Sequence, residues 1–86
     1  MASYKLLIKP SAAKELEAAP KQDRKRIVAK MERLASNPRP PSSEKLSGEE
    51  KYRLRQGDYR VLYSIDDAGT TVTIVKIGHR RDVYRK

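Results

Sequence analysis

The sequence predicts a small α+β fold: an N-terminal strand, a two-helix hairpin and a three-stranded antiparallel meander, forming one sheet with the helices packed on one face. Three observations carry that prediction. Apolar residues alternate at a spacing of two in residues 3–9 and again after residue 51, whereas between Ala12 and Ser36 they recur at helical spacing. Pro20 divides the helical stretch in two. Gln56-Gly57-Asp58 and Asp66-Asp67-Ala68-Gly69 have the composition of hairpin turns.

Taken in order, residues 3–9 read as a strand with Tyr4, Leu6 and Ile8 on one face. Pro10 and Ser11 supply helix-start chemistry, Ser11 as the candidate N-cap, ahead of the helix formers Ala12 to Ala19. The second helix is expected over residues 21–36, with an apolar stripe of Ile27, Val28, Met31, Leu34 and Ala35 opposite Asp23, Arg24, Lys30 and Arg33. Residues 36–50 hold three of the five prolines, Pro38, Pro40 and Pro41, and read as an irregular connection anchored only by Leu46. Strands follow at residues 51–55, 59–65 and 70–77. No repeat or boundary interrupts the chain, so residues 1–86 are expected to be one domain.

The totals narrow the class of function. Eighty-six residues bury only about 60% of their unfolded surface, which leaves little room for an enclosed cofactor pocket, and no cofactor is expected. There is no cysteine, hence no disulfide and no thiolate-ligated metal, and a metal would fall to oxygen ligands or His79. The acidic pair Asp66-Asp67 sits in a turn sequence and reads as turn chemistry, so no metal site is expected. The apolar run Leu6 to Ile8 is far shorter than a membrane span, and a cytoplasmic location is expected. Twenty Lys and Arg against eleven Asp and Glu give a net charge of +9, the footprint expected for a nucleic-acid partner, although an acidic protein would answer the same charge.

Strand alternation concentrates that charge. In residues 51–55, Tyr52 and Leu54 share one face and Lys51, Arg53 and Arg55 the other. In the next strand Tyr59, Val61, Tyr63 and Ile65 share a face, with Arg60 opposite beside Leu62 and Ser64. Antiparallel pairing would bring Arg53, Arg55 and Arg60 onto one surface, where like charges call for an anion. The C-terminal run His79-Arg80-Arg81-Asp82-Val83-Tyr84-Arg85-Lys86 extends the basic surface. Tyr52, Tyr59 and Tyr63 belong to the expected core face, which leaves Tyr84 as the ring available for stacking on an RNA base.

The segments YRLRQGDYRVLYSI (52–65) and VKIGHRRDVYR (75–85) resemble the RelE family of toxins, within the RelE/ParE superfamily of bacterial type II toxin–antitoxin systems. The order of elements is similar to that family's fold. The resemblance implies a ribosome-dependent messenger-RNA endonuclease, acting in the decoding site and inhibiting translation, with an acidic RelB-like antitoxin and with DNA reached only through that antitoxin. It implies an active surface of Arg60, of Arg80 or Arg81 with Arg80 preferred, and of Tyr84; the charge pattern adds Lys51, Arg53, Arg55 and Arg85 as expected phosphate contacts. Arg53 and Arg55 stand where some members have lysines; an arginine cannot realistically lose its proton, so a lysine's part in proton transfer would be met differently here.

Without a metal, RNA cleavage needs a base for the 2′-OH, cations for the phosphorane charge and an acid for the 5′-oxygen. A single histidine excludes a two-histidine mechanism. Tyr84, its phenolate favoured by Arg80, Arg81 and Arg85, and His79, the chain's single imidazole, are the alternatives for the base. Two other readings share the charge pattern: a ParE-type inhibitor of DNA gyrase, and a non-catalytic basic RNA-binding module.

Overall fold

The structure is a computed structural model that describes residues 3–46 and 51–81. Seven elements run in the order β1 (Lys5–Ile8), α1 (Pro10–Ala18), α2 (Lys21–Arg33), β2 (Ser43–Lys45), β3 (Lys51–Gln56), β4 (Tyr59–Asp66) and β5 (Thr71–His79). The strands form one sheet ordered β1-β5-β4-β3-β2. β3, β4 and β5 make the antiparallel meander, and β1 joins β5 in parallel with Leu6 beside Val72 and Ile8 beside Ile74. That parallel pairing is reached through the helical hairpin, which lies on one face.

The core fills the space between helices and sheet. Ala12, Ile27, Met31 and Leu34 from the helical side meet Leu54, Val61, Tyr63, Val72, Ile74 and Ile77 from the strands. Tyr63 is fully buried and donates its hydroxyl to the Pro38 carbonyl at 2.7 Å, which satisfies the one polar atom that this large ring carries inward. Tyr52 stacks on it with ring centroids 5.7 Å apart.

Three expectations are corrected. Ser11 is not the N-cap: Pro10 occupies the first turn, Lys9 is the cap residue, and no side chain caps the helix. The second helix ends at Arg33, with Leu34 as its buried cap residue and residues 35–36 turned away. The proline-rich connection is not wholly irregular. Its residues 43–45 pair antiparallel with Leu54, Arg53 and Tyr52 to make an edge strand, and buried Pro38, as well as half-buried Leu46, anchors it.

The outer strands are shorter than their neighbours, and helix side chains finish the exposed ladder. β1 covers only four residues of β5, and beyond its end the Ile77 N–H donates to Glu15 Oε1 at 3.0 Å. β2 covers only three residues of β3, and beyond its end Lys30 Nζ donates to the Arg55 carbonyl at 3.1 Å. Both contacts satisfy backbone groups that would otherwise form a bare edge.

Candidate functional site

Register builds the site. Across the β3–β4 hairpin Lys51 faces Ser64, Arg53 faces Leu62 and Arg55 faces Arg60, while the alternate pair Leu54 and Val61 goes into the core. Lys51, Arg53, Arg55 and Arg60 therefore share the face of the sheet turned away from the helices. β5 adds Lys76 opposite Leu62, and opposite Arg60 it places Gly78, which has no side chain of its own. Gly57 makes the tight turn possible with its left-handed φ of 58°, which sets the ends of β3 and β4 level.

Partners divide the cations into two kinds. Arg53 is ion-paired with Glu44, its cross-strand neighbour on β2, and Lys76 with Glu15 of α1 at 3.5 Å. Arg55 has no side-chain hydrogen bond or ion pair among the described residues. Arg60 donates Nη1 to the carbonyls of Gly57 and Tyr59 at 3.2 and 3.1 Å, bonds that aim the guanidinium, and among the described residues its other N–H groups have no partner. Two directly opposed arginines with no carboxylate paired to either among the described residues form an anion-attracting face.

Two of the expected tail residues can be placed. Arg80, two positions after Gly78, donates its backbone N–H to the Asp58 carbonyl at 2.7 Å and brings Nε within 4.0 Å of Asp58 Oδ1. The end of β5 is thus fastened to the turn beside Arg60. Arg81 donates its backbone N–H to His79 Nδ1 at 3.2 Å. Tyr84 and Arg85 lie outside the described residues.

His79 does not join this face. It pairs with Tyr59, so its ring begins on the side that the helices cover, edge-on to the Tyr59 ring at 5.9 Å. A cleft of about 250 Å³ there is lined by Glu15, Ala18, Ala19, Tyr59, Ile77 and His79. The one histidine and the paired arginines stand back to back across the sheet.

Several contributors were invisible in the sequence. Lys30 reads as one more cation on a solvated helix face, and only the fold carries it to the β3 edge. Glu44 sits in a segment too short to show alternation. A third group organises the opposite end of the sheet: Asp67 accepts both Arg39 Nη1 and Nη2, at 3.2 and 2.9 Å, and the Tyr4 hydroxyl at 2.8 Å. Arg39 also donates Nε to the Tyr52 hydroxyl at 3.0 Å and lies over that ring. The Arg39 bonds hold the Asp67 carboxyl below its ordinary range, the Asp67 bond raises the Tyr4 phenol, and burial raises that of Tyr63. Asp66 does accept the Gly69 N–H at 3.0 Å as a turn residue should, and among the described residues no group of three or more His, Cys, Asp or Glu is placed to hold a metal ion.

Comparison with known proteins decides the family. A family model described as the ParE toxin of type II toxin–antitoxin systems matches residues 6–84. The chain belongs to the RelE/ParE toxin superfamily. Among curated relatives, Toxin RelG of Mycobacterium tuberculosis is 51% identical over 35 residues, a stretch that spans 41% of this chain and 40% of that protein. Solved structures of the superfamily superpose over almost the whole length. The toxin–antitoxin complex RelBE2 of Mycobacterium tuberculosis gives a TM-score of 0.80 at 30% identity, covering 91% of this chain and 99% of that one. The archaeal RelE–RelB complex of Pyrococcus horikoshii gives 0.83 at 30% identity, covering 93% and 98%. The Escherichia coli RelBE complex gives 0.77 at 26% identity, covering 90% and 96%. The expected α+β architecture is therefore that of the RelE toxins, with β2 added at the edge.

Proposed function

We propose that residues 1–86 act as one toxin domain, a ribosome-dependent endoribonuclease that cuts messenger RNA in the decoding site and so stops translation. The observation that supports this most is the sheet face on which Arg55 and Arg60 oppose each other with no carboxylate paired to either among the described residues, beside the point where Arg80 is fastened to the β3–β4 turn.

The chemistry follows from what such a face can do. The 2′-oxygen bonds to the adjacent phosphorus as its proton leaves, the bond to the 5′-oxygen breaks, and that oxygen takes up a proton; the products are a 2′,3′-cyclic phosphate and a 5′-hydroxyl. Arg60 and Arg80 meet the non-bridging oxygens as charge accumulates, where fixed donors act most strongly. Arg53, Arg55, Lys51 and Arg85 hold neighbouring phosphates, and Arg81 flanks them. Tyr84 is assigned the 2′ proton. His79 is assigned a supporting role, because its ring stands with Tyr59 on the helix side of the sheet. No cofactor enters these steps. An open face has nothing to bend the RNA into line, which is why the reading includes the ribosome as the part that orients the strand.

The partners follow the same charges. An acidic RelB-like antitoxin would cover the arginine face, with binding that weakens in salt, and DNA would be reached only through it. No described helix is long and apolar enough to cross a membrane, and the cytoplasm is the compartment where ribosome and messenger meet.

The family description that names ParE favours a second reading, inhibition of DNA gyrase without nuclease chemistry. One experiment separates the two. Purified protein is added in parallel to a reconstituted translation mixture programmed with one messenger and to a gyrase supercoiling reaction. Messenger cleavage with intact supercoiling is expected; blocked supercoiling with uncut messenger would establish the second reading instead.

A further inference from the structure

Glu44 is an acid placed on a face that otherwise collects bases. It stands directly opposite Arg53 on the edge strand β2 and is ion-paired with it. Around this pair lies a cleft of about 390 Å³, lined by Lys30, Pro41, Ser42, Glu44, Arg53, Arg55 and Gly57. Three cations thus surround one carboxylate. Lys30 spends one of its three donors on the Arg55 carbonyl, and Arg55 has no anionic partner among the described residues.

We propose that Glu44 holds the place of a backbone phosphate in this cleft and that a bound RNA strand must displace it, an inference that rests on the ribonuclease reading above. A phosphodiester carries the same single negative charge as a carboxylate and offers the same pair of oxygens to a guanidinium fork. The exchange is geometrically easy in one direction only. The Glu44 side chain is 59% exposed on a three-residue edge strand, whereas that of Arg53 is 24% exposed. Glu44 can rotate into water while Arg53 remains in the cleft. An exposed ion pair of this kind is weak, so it competes with RNA without closing the site.

The exchange makes a loose strand bind poorly, because the phosphate gained at Arg53 replaces an anion already there. A strand held by the ribosome meets the cleft at high effective concentration and wins the exchange. Glu44 is then a specificity residue that favours positioned RNA over RNA free in solution.

The test is a double-mutant cycle of Glu44→Gln and Arg53→Gln, read as binding of a fully 2′-O-methyl RNA oligomer that cannot be cut, at several salt concentrations. Glu44→Gln alone should tighten binding about three- to fivefold and steepen the slope of log affinity against log salt by up to about 0.7. In the Arg53→Gln background the same substitution should change neither quantity. Equal tightening in both backgrounds would reduce Glu44 to a general surface charge and overturn the proposal, as would no tightening in either. Failure of every variant to bind the oligomer would instead count against the ribonuclease reading. The same four proteins titrated with inorganic triphosphate then read the Glu44 exchange by itself, with the same expected pattern and the same overturning result.

Discussion

Arg60→Ala separates charge stabilisation from architecture. Among the described residues Arg60 is engaged through Nη1 alone, by two backbone carbonyls at 3.1 and 3.2 Å. Those carbonyls belong to a turn that water reaches, so losing them should cost at most about 1 kcal/mol, or roughly 4–8 °C in Tm for a domain of this size. Removing a fixed donor to a developing oxyanion costs far more, about 2.7–4 kcal/mol, which is roughly a hundredfold to a thousandfold in rate. Arg60→Lys keeps the charge but not the fork, and should fall between the two. The assay is single-turnover cleavage of a ribosome-bound messenger, with thermal unfolding of each variant alongside. If Arg60→Ala cut within about threefold of the wild-type rate while still folded, Arg60 would have no part in the chemistry.

Three further outcomes follow from particular contacts. Tyr63→Phe removes a buried donor from the Pro38 carbonyl and should lower stability by about 1–3 kcal/mol in denaturant unfolding; an unchanged midpoint would mean that water satisfies that carbonyl equally well. Asp67 has a depressed pKa, so its contribution is complete above the ordinary carboxylate value of 3.8 and is lost as pH falls through the lower folded value. The gap in Tm between wild type and Asp67→Asn should therefore be present at neutral pH and close in acid, and a gap independent of pH would refute the Arg39 clasp. Tyr84→Phe keeps the ring and deletes the hydroxyl, so a base should lose about 10² to 10⁴ in cleavage rate; a near-normal rate for Phe with a large loss for Ala would leave Tyr84 as a stacking platform.

Periodicity made the meander and the helical hairpin legible, because burial on one face leaves a spacing of two or of 3.6 in the residue order. The alternation that hides Leu54 and Val61 is the same alternation that exposes Arg53, Arg55 and Arg60, so the cationic face could be read along with the core. Register could not. Arg55 facing Arg60 follows from a two-residue turn at Gly57 and Asp58, and the sequence equally allowed the longer turn from Gln56 to Asp58. His79 looks contiguous with its arginine neighbours in sequence, although successive side chains on a strand point to opposite faces. β2 is hidden because three residues are too few to show a pattern and because Pro38, Pro40 and Pro41 stand just before it. Lys30, Glu15, Arg39 and Asp67 act across long sequence separations, and nothing local distinguishes them from other surface charges.

The most direct measurement is the chemistry of the cut ends. A messenger with a defined codon in the decoding site is incubated with ribosomes and the protein, and both ends of the break are mapped and characterised. Attack by the 2′-OH, with the arginine face stabilising the phosphorane, predicts a single break leaving a 2′,3′-cyclic phosphate and a 5′-hydroxyl. A 3′-hydroxyl with a 5′-phosphate, or an uncut messenger, would contradict it.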